Sequence, residues 1–281
     1  MANPAQPVTL RTLFRMAKDR TPFACLTCYD ATTARWLERA NVPVLLVGDS
    51  AAEVVLGFKR TIDMPLEFAI TLTAAVKRGA PNTVVMADMP FLSYQSDDIS
   101  AVRNAGRFMT EGQADCVKLE VDRAYAPLIE KLTRAGVPVV AHIGSKPQQA
   151  ALKGGYSSAG RTEAEIEEIV ADAIALEQSG AVMLLVEAVP DQATERILQS
   201  TSVPLIGIGA GTACHGQVLV VHDLLGLTDH PPRFAAPVAS LGEAVAAAGA
   251  EWVRRVAARS IGGVRYEMKP SPDASQSPTR G

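Results

Sequence analysis

The sequence predicts an eight-stranded parallel α/β barrel, and three observations carry that prediction. Apolar, β-branched runs alternate with stretches of helical composition along most of the chain. The same punctuation recurs between them: "RANVPV" at 39–44, "RAGVPV" at 134–139 and "STSVPL" at 200–205. The length, 281 residues, is ordinary for one such barrel and long for a single sandwich. A doubly wound open sheet is the main rival.

Taken in order, the first element is a short helix. Leu10, Leu13 and Phe14 share one face of an amphipathic segment fit to pack on a core. Arg11, Arg15, Lys18 and Arg20 give it a weak likeness to a transit peptide, but no hydrophobic stretch of a secretory signal precedes it. The strand runs follow: "FACLTCY" at 23–29, "VPVLLV" at 42–47, "TVVMA" at 83–87 and "CVKL" at 116–119. They continue with "VPVVA" at 137–141, "VMLLV" at 182–186, "VPLIGI" at 203–208 and "VLVV" at 218–221. The eighth reads two ways, because 216–226 also suits a helix. Helical stretches at 31–40, 66–78, 97–111, 123–135, 163–179 and 191–200 separate the runs, each about two turns or longer. A Gly or Asn turn ends several of them, and Pro opens the next strand, where no ladder bond is lost. Residues 50–65 and 144–162 are the long loops. We expect residues 1–8 to be flexible, 9–266 to form one catalytic domain and 267–281, rich in Pro, Ser and charge, to be disordered.

Composition excludes several classes of function. Apolar residues reach 48%, enough for a large core, and no apolar run is long enough to span a bilayer. Charged residues make up 20% with a net charge of −3, so no basic face is available for nucleic acid. Of the four cysteines, Cys25 and Cys28 have CxxC spacing. They sit in a strand-like run, where residues three apart face opposite sides. All four, with Cys116 and Cys214, read as small buried residues in a reducing compartment.

The strand ends carry the chemistry. In order they show Tyr29-Asp30, Asp49-Ser50, Asp88, Lys118 with Glu120, His142, Glu187, Gly209 with Gly211, and His222-Asp223. In a parallel barrel these ends share one face, where active sites of that fold lie. A lone strand-end Asp is often only a helix cap, and Asp30 before "ATTARWLERA" suits that role. A cap does not explain Lys118, Glu120, His142 and Glu187 together. Asp49, Asp88 and Glu120 are hard oxygen donors of the kind magnesium takes, whereas zinc would want more His or Cys. Lys118 and Glu120 lie two apart and face one side, so the lysine is placed to neutralise a developing oxyanion. "GIGAG" at 207–211 lacks the dinucleotide fingerprint and reads as a tight loop, while "GSKP" and "LKGGY" fail the phosphate-loop spacing. Taken singly, Glu187 also reads as a solvated carboxylate before Pro190, Lys118 as a surface ion-pair lysine, and His142 as a neutral hydrogen-bonded imidazole.

These residues, in this order, resemble the ketopantoate hydroxymethyltransferase family. The stretches that carry the resemblance are "LTCYDATTARWL", "LLVGDS", "VVLGF", "AAVKRGAPNTVVMADMPFLSY", "CVKLE", "VPVVAHIG", "KGGY", "LLVEAVP" and "IGIGAG…GQVLVVHDLLGL", spanning roughly residues 9 to 235. The resemblance implies a (β/α)8 TIM barrel of the phosphoenolpyruvate mutase/isocitrate lyase-like type with a magnesium site. It implies that Asp49 and Asp88 bind the metal and that Glu120 reaches it directly or through water. Ser50, Asp88 and Lys118 would hold a 2-oxo acid, with Asp49 and His142 in the same pocket, and Glu187 would accept the proton. The implied reaction passes a hydroxymethyl group from 5,10-methylenetetrahydrofolate to 3-methyl-2-oxobutanoate, giving 2-dehydropantoate for pantothenate synthesis. A cytoplasmic homo-oligomer, decamers included, acting on small molecules without nucleic acid or membrane, is the further implication.

The sequence departs from the family pattern in its loops. Ala51-Ala52-Glu53 replaces a Leu-Gly start, Ser145-Lys146 a Leu-Thr, Ser157-Ser158-Ala159-Gly160 a Lys-Val-Gln-Gly run, and His215 an acid. The C-terminal Glu-His segment usual in the family is missing. These changes leave two other readings open. One is a magnesium-dependent lyase or aldolase on another 2-oxo acid, although the Lys-Lys-Cys-Gly-His loop typical of such lyases does not occur. The other is a non-catalytic barrel paralogue that binds or scaffolds.

Overall fold

The computed structural model of this chain describes residues 7–269. The expectations for residues 1–6 and 270–281 lie outside the described residues. Eight strands run β1 Phe23–Thr27, β2 Val44–Val47, β3 Val84–Asp88, β4 Cys116–Glu120, β5 Val139–Gly144, β6 Met183–Glu187, β7 Leu205–Ile208 and β8 Gly216–Leu219. Each pairs in parallel with its neighbours, and β8 closes on β1, so the sheet is a closed barrel and not an open doubly wound one.

The helices are α1 Leu10–Lys18, α2 Ala31–Arg39, α3 Ala51–Val54, α4 Leu66–Gly79, α5 Asp98–Thr110, α6 Ala126–Arg134, α7 Glu163–Gln178, α8 Asp191–Ser200, α9 Val221–Leu224 and α10 Leu241–Ala257. Asp30 caps α2 by accepting the Thr32 and Thr33 N–H groups, the role its position predicts. Thr162 and Glu165 form a reciprocal capping box on α7. The expected helix over 123–135 splits into a 3₁₀ turn, Arg123–Tyr125, and α6, with Pro127 in the first turn where its missing N–H costs nothing. The two long loops are also partly helical, holding α3 and 3₁₀ turns at Thr61–Asp63 and Pro147–Lys153.

The strands expected to open at "VP" begin one residue past the proline. Pro has no N–H to give, but its carbonyl still serves the ladder. Pro43, Pro138 and Pro204 each accept a bond from the neighbouring strand, from Val84, Val117 and Leu184. The ambiguity over 216–226 resolves as both answers: β8 comes first, then the single turn of α9.

Two cores follow from the strand pleat. Alternate residues Phe23, Cys25, Val44, Leu46, Val84, Met86, Cys116, Val140, Met183 and Leu185 fill the barrel, and Leu13 of α1 belongs to the same cluster. Their neighbours Cys28, Leu45, Val47, Val85, Val117 and Leu184 face outward into a larger layer under the helices. Cys25 and Cys28 thus lie on opposite faces, and all four cysteines are free and buried. The compact unit that contains the barrel ends at Ala239, and a second begins at Ser240. The second unit's helix α10 has no buried residue and shows an apolar stripe of Leu241, Val245, Trp252 and Val256.

Leu13 is fully buried among the first inward layer of the strands, so α1 packs against the barrel's amino end. Leu13→Ala is expected to cost about 2–5 kcal/mol in urea unfolding, and a loss under about 0.5 kcal/mol, the size of a surface change, would show that this packing is unimportant.

Candidate active site

The inward residues of the strands change character toward the carboxyl end. On β4 the sequence Cys116, Lys118, Glu120 runs from apolar to charged on one face, and β3 runs Val84, Met86, Asp88. On β5, Val140 gives way to His142, and on β6, Met183 and Leu185 give way to Glu187. Parallel register then makes neighbours of residues far apart in sequence. Asp88 stands opposite Lys118, and Glu120 opposite His142. Asp49 lies just beyond β2, where its N–H meets Asp88 Oδ2 at 3.3 Å. All seven residues singled out in the sequence, Ser50 among them, line one cavity of about 720 Å³.

Lys118 is the hub of the polar contacts. Its Nζ lies 2.8 Å from Asp88 Oδ2 and 3.2 Å from His142 Nδ1. An ammonium can only donate, so Nδ1 accepts and the imidazole proton is assigned to Nε2. Nε2 stands 3.4 Å from Glu187 Oε2, off the line of a hydrogen bond and without another partner. Burial, and then Lys118, push His142 below its usual range, which favours the neutral ring. Lys118 is buried, so the surface-lysine reading fails. Burial alone would lower its ammonium pKa, but Asp88, Glu120 and Asp49 together push it up.

The carboxylates divide by environment. Burial, against the pull of Lys118, lifts Asp88 to about 7 and holds Glu120 well above the ordinary carboxylate range. Glu187 keeps a side chain 20% exposed, against 2% for Asp88. Its backbone is tightly held. A Cβ on Gly144 would come within 2.7 Å of the Glu187 carbonyl, and Ala188 adopts φ +49°, a strained value for a residue with a Cβ. Ser50 Oγ pairs with Tyr29 hydroxyl at 2.8 Å and does not cap α3.

Among the described residues, no three His, Cys, Asp or Glu side chains converge tightly enough to cage a metal. Two carboxylates suit magnesium nonetheless, because it retains waters and takes oxygens from its substrate. Asp88 Oδ1 is buried and has no hydrogen-bond partner, the sort of orphan a cation would satisfy. Asp49 and Asp88 therefore fit a divalent ion. Glu120 is engaged elsewhere: Oε2 accepts the Gln148 N–H at 2.9 Å, and Oε1 faces His142 Nδ1 at 3.8 Å.

Sequence reasoning missed Gln148, Tyr94 and Asp223. Gln148 bridges the Asp49 and Glu120 carboxylates, Tyr94 joins Gln148 to the Glu120 backbone, both are buried, and no periodic pattern marks such residues. Asp223 stood among the strand ends without a role. It is buried, accepts from the Thr228 hydroxyl and lines the cavity. Of the loop departures, Glu53, Ser145, Ser157 and Ser158 line the cavity, whereas Lys146 pairs with Asp122. His215 precedes β8, at the end away from the polar mouth, where its Nδ1 accepts the Leu205 N–H. Gly209 and Gly211 serve packing, since a Cβ would strike Phe234 and Asp191 respectively.

Barrel and polar mouth define the class: an α/β-barrel enzyme with its site at the carboxyl ends of the strands. Comparison with known proteins narrows it. A family model described as ketopantoate hydroxymethyltransferase matches residues 7–262. Among curated relatives, the 3-methyl-2-oxobutanoate hydroxymethyltransferase of Halorhodospira halophila is 42% identical, covering 92% of this chain and 94% of its own. The protein of that name from Moorella thermoacetica is 46% identical, over 86% and 90%. The chain belongs to the ketopantoate hydroxymethyltransferase family. Its fold also matches solved structures of a 2,3-dimethylmalate lyase of the PEP mutase/isocitrate lyase superfamily (TM-score 0.59, 20% identity, 95% of this chain and 92% of that one) and of a phosphonopyruvate hydrolase with oxalate and Mg++ (TM-score 0.61, 12%, 89% and 87%). At such identities the likeness speaks for the fold alone.

A carboxyl raised in the folded state contributes stability that is complete below its unfolded pKa and is lost as pH rises through the folded one. For Asp88 that loss spans about pH 4 to 7, from an ordinary value of 3.8 to about 7. A cation at the site offsets it once Asp88 is ionised. Magnesium should therefore raise the thermal midpoint more at about pH 8 than at about pH 6; equal shifts would contradict a role for Asp88 in holding it.

Proposed function

We propose that this chain transfers a hydroxymethyl group from 5,10-methylenetetrahydrofolate to 3-methyl-2-oxobutanoate, giving 2-dehydropantoate for pantothenate synthesis; the name its relatives carry, 3-methyl-2-oxobutanoate hydroxymethyltransferase, supports the acceptor and the group transferred. The observation that carries the reading is the continuous contact line Asp88–Lys118–His142–Glu187 at the barrel mouth, with Asp49 beside Asp88. That line sets a pair of metal-fitting carboxylates at one end and a partly exposed carboxylate at the other.

A divalent cation, magnesium in this reading, supplies Lewis-acid polarisation of the 2-oxo group when Asp49 and Asp88 hold it. The Lys118 ammonium, fixed beside Asp88, stabilises the negative charge that develops on the ketone oxygen. Glu187 takes the C3 proton, and the C–H electron pair becomes the C2–C3 double bond of the enolate. His142, neutral with its proton on Nε2, accepts from Lys118 and stands between it and Glu187. The enolate carbon then attacks the methylene carbon of the folate as one of its two C–N bonds opens, and that nitrogen takes the proton Glu187 removed; water then displaces the second nitrogen, its oxygen completing the hydroxymethyl group and its proton going to the departing tetrahydrofolate. The folate brings the electrophile, so the protein needs only to bind and orient it. A cavity of about 720 Å³ is of the size that takes drug-sized ligands and exceeds what a five-carbon acid fills.

The lyase reading has less support, since proteins of that type resemble this chain only at the level of fold. A scaffold gives no reason to bury Lys118 among carboxylates. Among the described residues no helix is long and apolar enough to cross a membrane. A cytoplasmic homo-oligomer remains part of the proposal, and sedimentation of the purified chain checks its assembly.

Proton NMR of 3-methyl-2-oxobutanoate in D₂O tests the chemistry. We expect magnesium-dependent loss of the C3 proton signal, slowed by about 10²–10⁴-fold in Glu187→Gln. Added methylenetetrahydrofolate should then yield 2-dehydropantoate. No exchange with a folded, magnesium-binding protein would remove this substrate, and exchange unaffected by Glu187→Gln would remove Glu187 as the base.

A further inference from the structure

Gln148, in the 3₁₀ turn after β5, uses every polar atom of its side chain beside the site and binds two of its carboxylates. Its Nε2 donates to Asp49 Oδ2 at 3.0 Å and to the Met89 carbonyl at 3.0 Å. Its Oε1 accepts from the Tyr94 hydroxyl at 2.9 Å and from Gln95 Nε2 at 3.0 Å. Its backbone N–H donates to Glu120 Oε2 at 2.9 Å. An amide side chain has two N–H donors and two oxygen lone pairs, and here all four are used. Asp49 and the Met89 carbonyl only accept, so the amide has a single permitted orientation. Gln148 is buried and Tyr94 almost wholly so, which makes a flipped or broken network costly.

We propose that Gln148 is a positioning residue for the cation site, fixing Asp49 and Glu120 so that Asp49 presents its free oxygen beside Asp88. The inference rests on the metal-assisted reading above. Its physical reason is charge. An Arg or Lys in this place would also orient Asp49, but would cancel the negative charge a cation needs. A neutral amide orients the carboxylate and leaves its charge in place. Among the described residues, Asp49 Oδ2 takes its hydrogen bond from Gln148, and Oδ1 accepts none from the protein. The same amide ties three elements together: the end of β2 through Asp49, the segment after β3 through Met89 and Tyr94, and the end of β4 through Glu120. Tyr94 completes the clamp from the other side, since its hydroxyl also accepts the Glu120 N–H at 3.0 Å.

The test measures metal affinity and not turnover. Gln148→Met keeps much of the volume and removes both side-chain donors. Manganese binding, followed by the electron paramagnetic resonance of the free ion, should weaken by about 10–100-fold, the range seen when a residue supporting metal ligands is lost. Far-ultraviolet circular dichroism should be unchanged. Gln95→Ala removes only one bond to Oε1 and keeps the fold if Gln148→Met does not; affinity should fall in the same direction by less. A role in stability alone would lower the thermal midpoint while leaving the affinity of the folded protein unchanged, and that result would overturn the proposal. If the unsubstituted protein binds no manganese or magnesium, the metal-assisted reading fails and this one with it. Binding by the unsubstituted protein and both variants alike overturns only the role of Gln148.

Discussion

The polar mouth of this barrel depends on one interaction, the buried contact of Lys118 with Asp88. An ion pair out of water gains from attraction but loses hydration, and removing one partner typically costs about 3–5 kcal/mol. Here the balance is uneven, because Asp49, Asp88 and Glu120 all act on a single ammonium. The site therefore holds more negative charge than its protein cation can neutralise. Two responses are open to such a site. The carboxyls can stay protonated, which is what their raised pKa values express, or a second cation can enter. The unpartnered Asp88 Oδ1 marks where the charge remains uncompensated.

The strand pleat and the barrel register together build that arrangement. A two-residue period carries β3, β4 and β5 from Met, Cys or Val near the bottom to Asp, Lys or His near the top, on the same inward face. Register does the rest by setting Asp88 against Lys118 and Glu120 against His142 across adjacent strands. A slip of one residue would turn every one of these side chains outward into the apolar layer under the helices. The apolar lower layers, with Leu13 among them, thus do more than stabilise the fold. They fix the register on which the chemistry rests.

How much of this was legible follows from the same physics. Strand-end residues could be read because their positions are fixed by a regular period and a fold with one functional face. The cap at Asp30 and the split of the cysteine pair across β1 were readable for the same local reason. Gln148 and Tyr94 were not, because their importance lies in contacts with residues 99 and 26 positions away, and a loop carries no period that could announce them. Strand starts erred by a residue wherever a proline carbonyl, and not its nitrogen, joins the ladder. His215 departs from the family pattern within a motif that begins at the carboxyl end of β7. The strand that follows it carries it to the opposite end.

The contrast between Glu187 and the other carboxylates gives the proposed site two environments, one suited to holding a cation and one suited to moving a proton. Groups that hold a cation gain from burial, because a low dielectric strengthens attraction and excludes competing water. A group that removes a proton and returns it must reach both substrate and solvent during each cycle. Asp49 and Asp88 are buried, while Glu187 stands on the wall with part of its side chain open. Its backbone is pinned between Gly144 and the strained Ala188, so exposure does not make it loose. His142 lies between the two regions, bonded to Lys118 on one nitrogen and facing Glu187 with the other. A neutral ring in that place stands between Glu187 and the lysine without adding a charge to either. Asn or Gln could imitate one of those contacts, but an imidazole spans both with a rigid plane, which accounts for a histidine buried where its protonation is disfavoured.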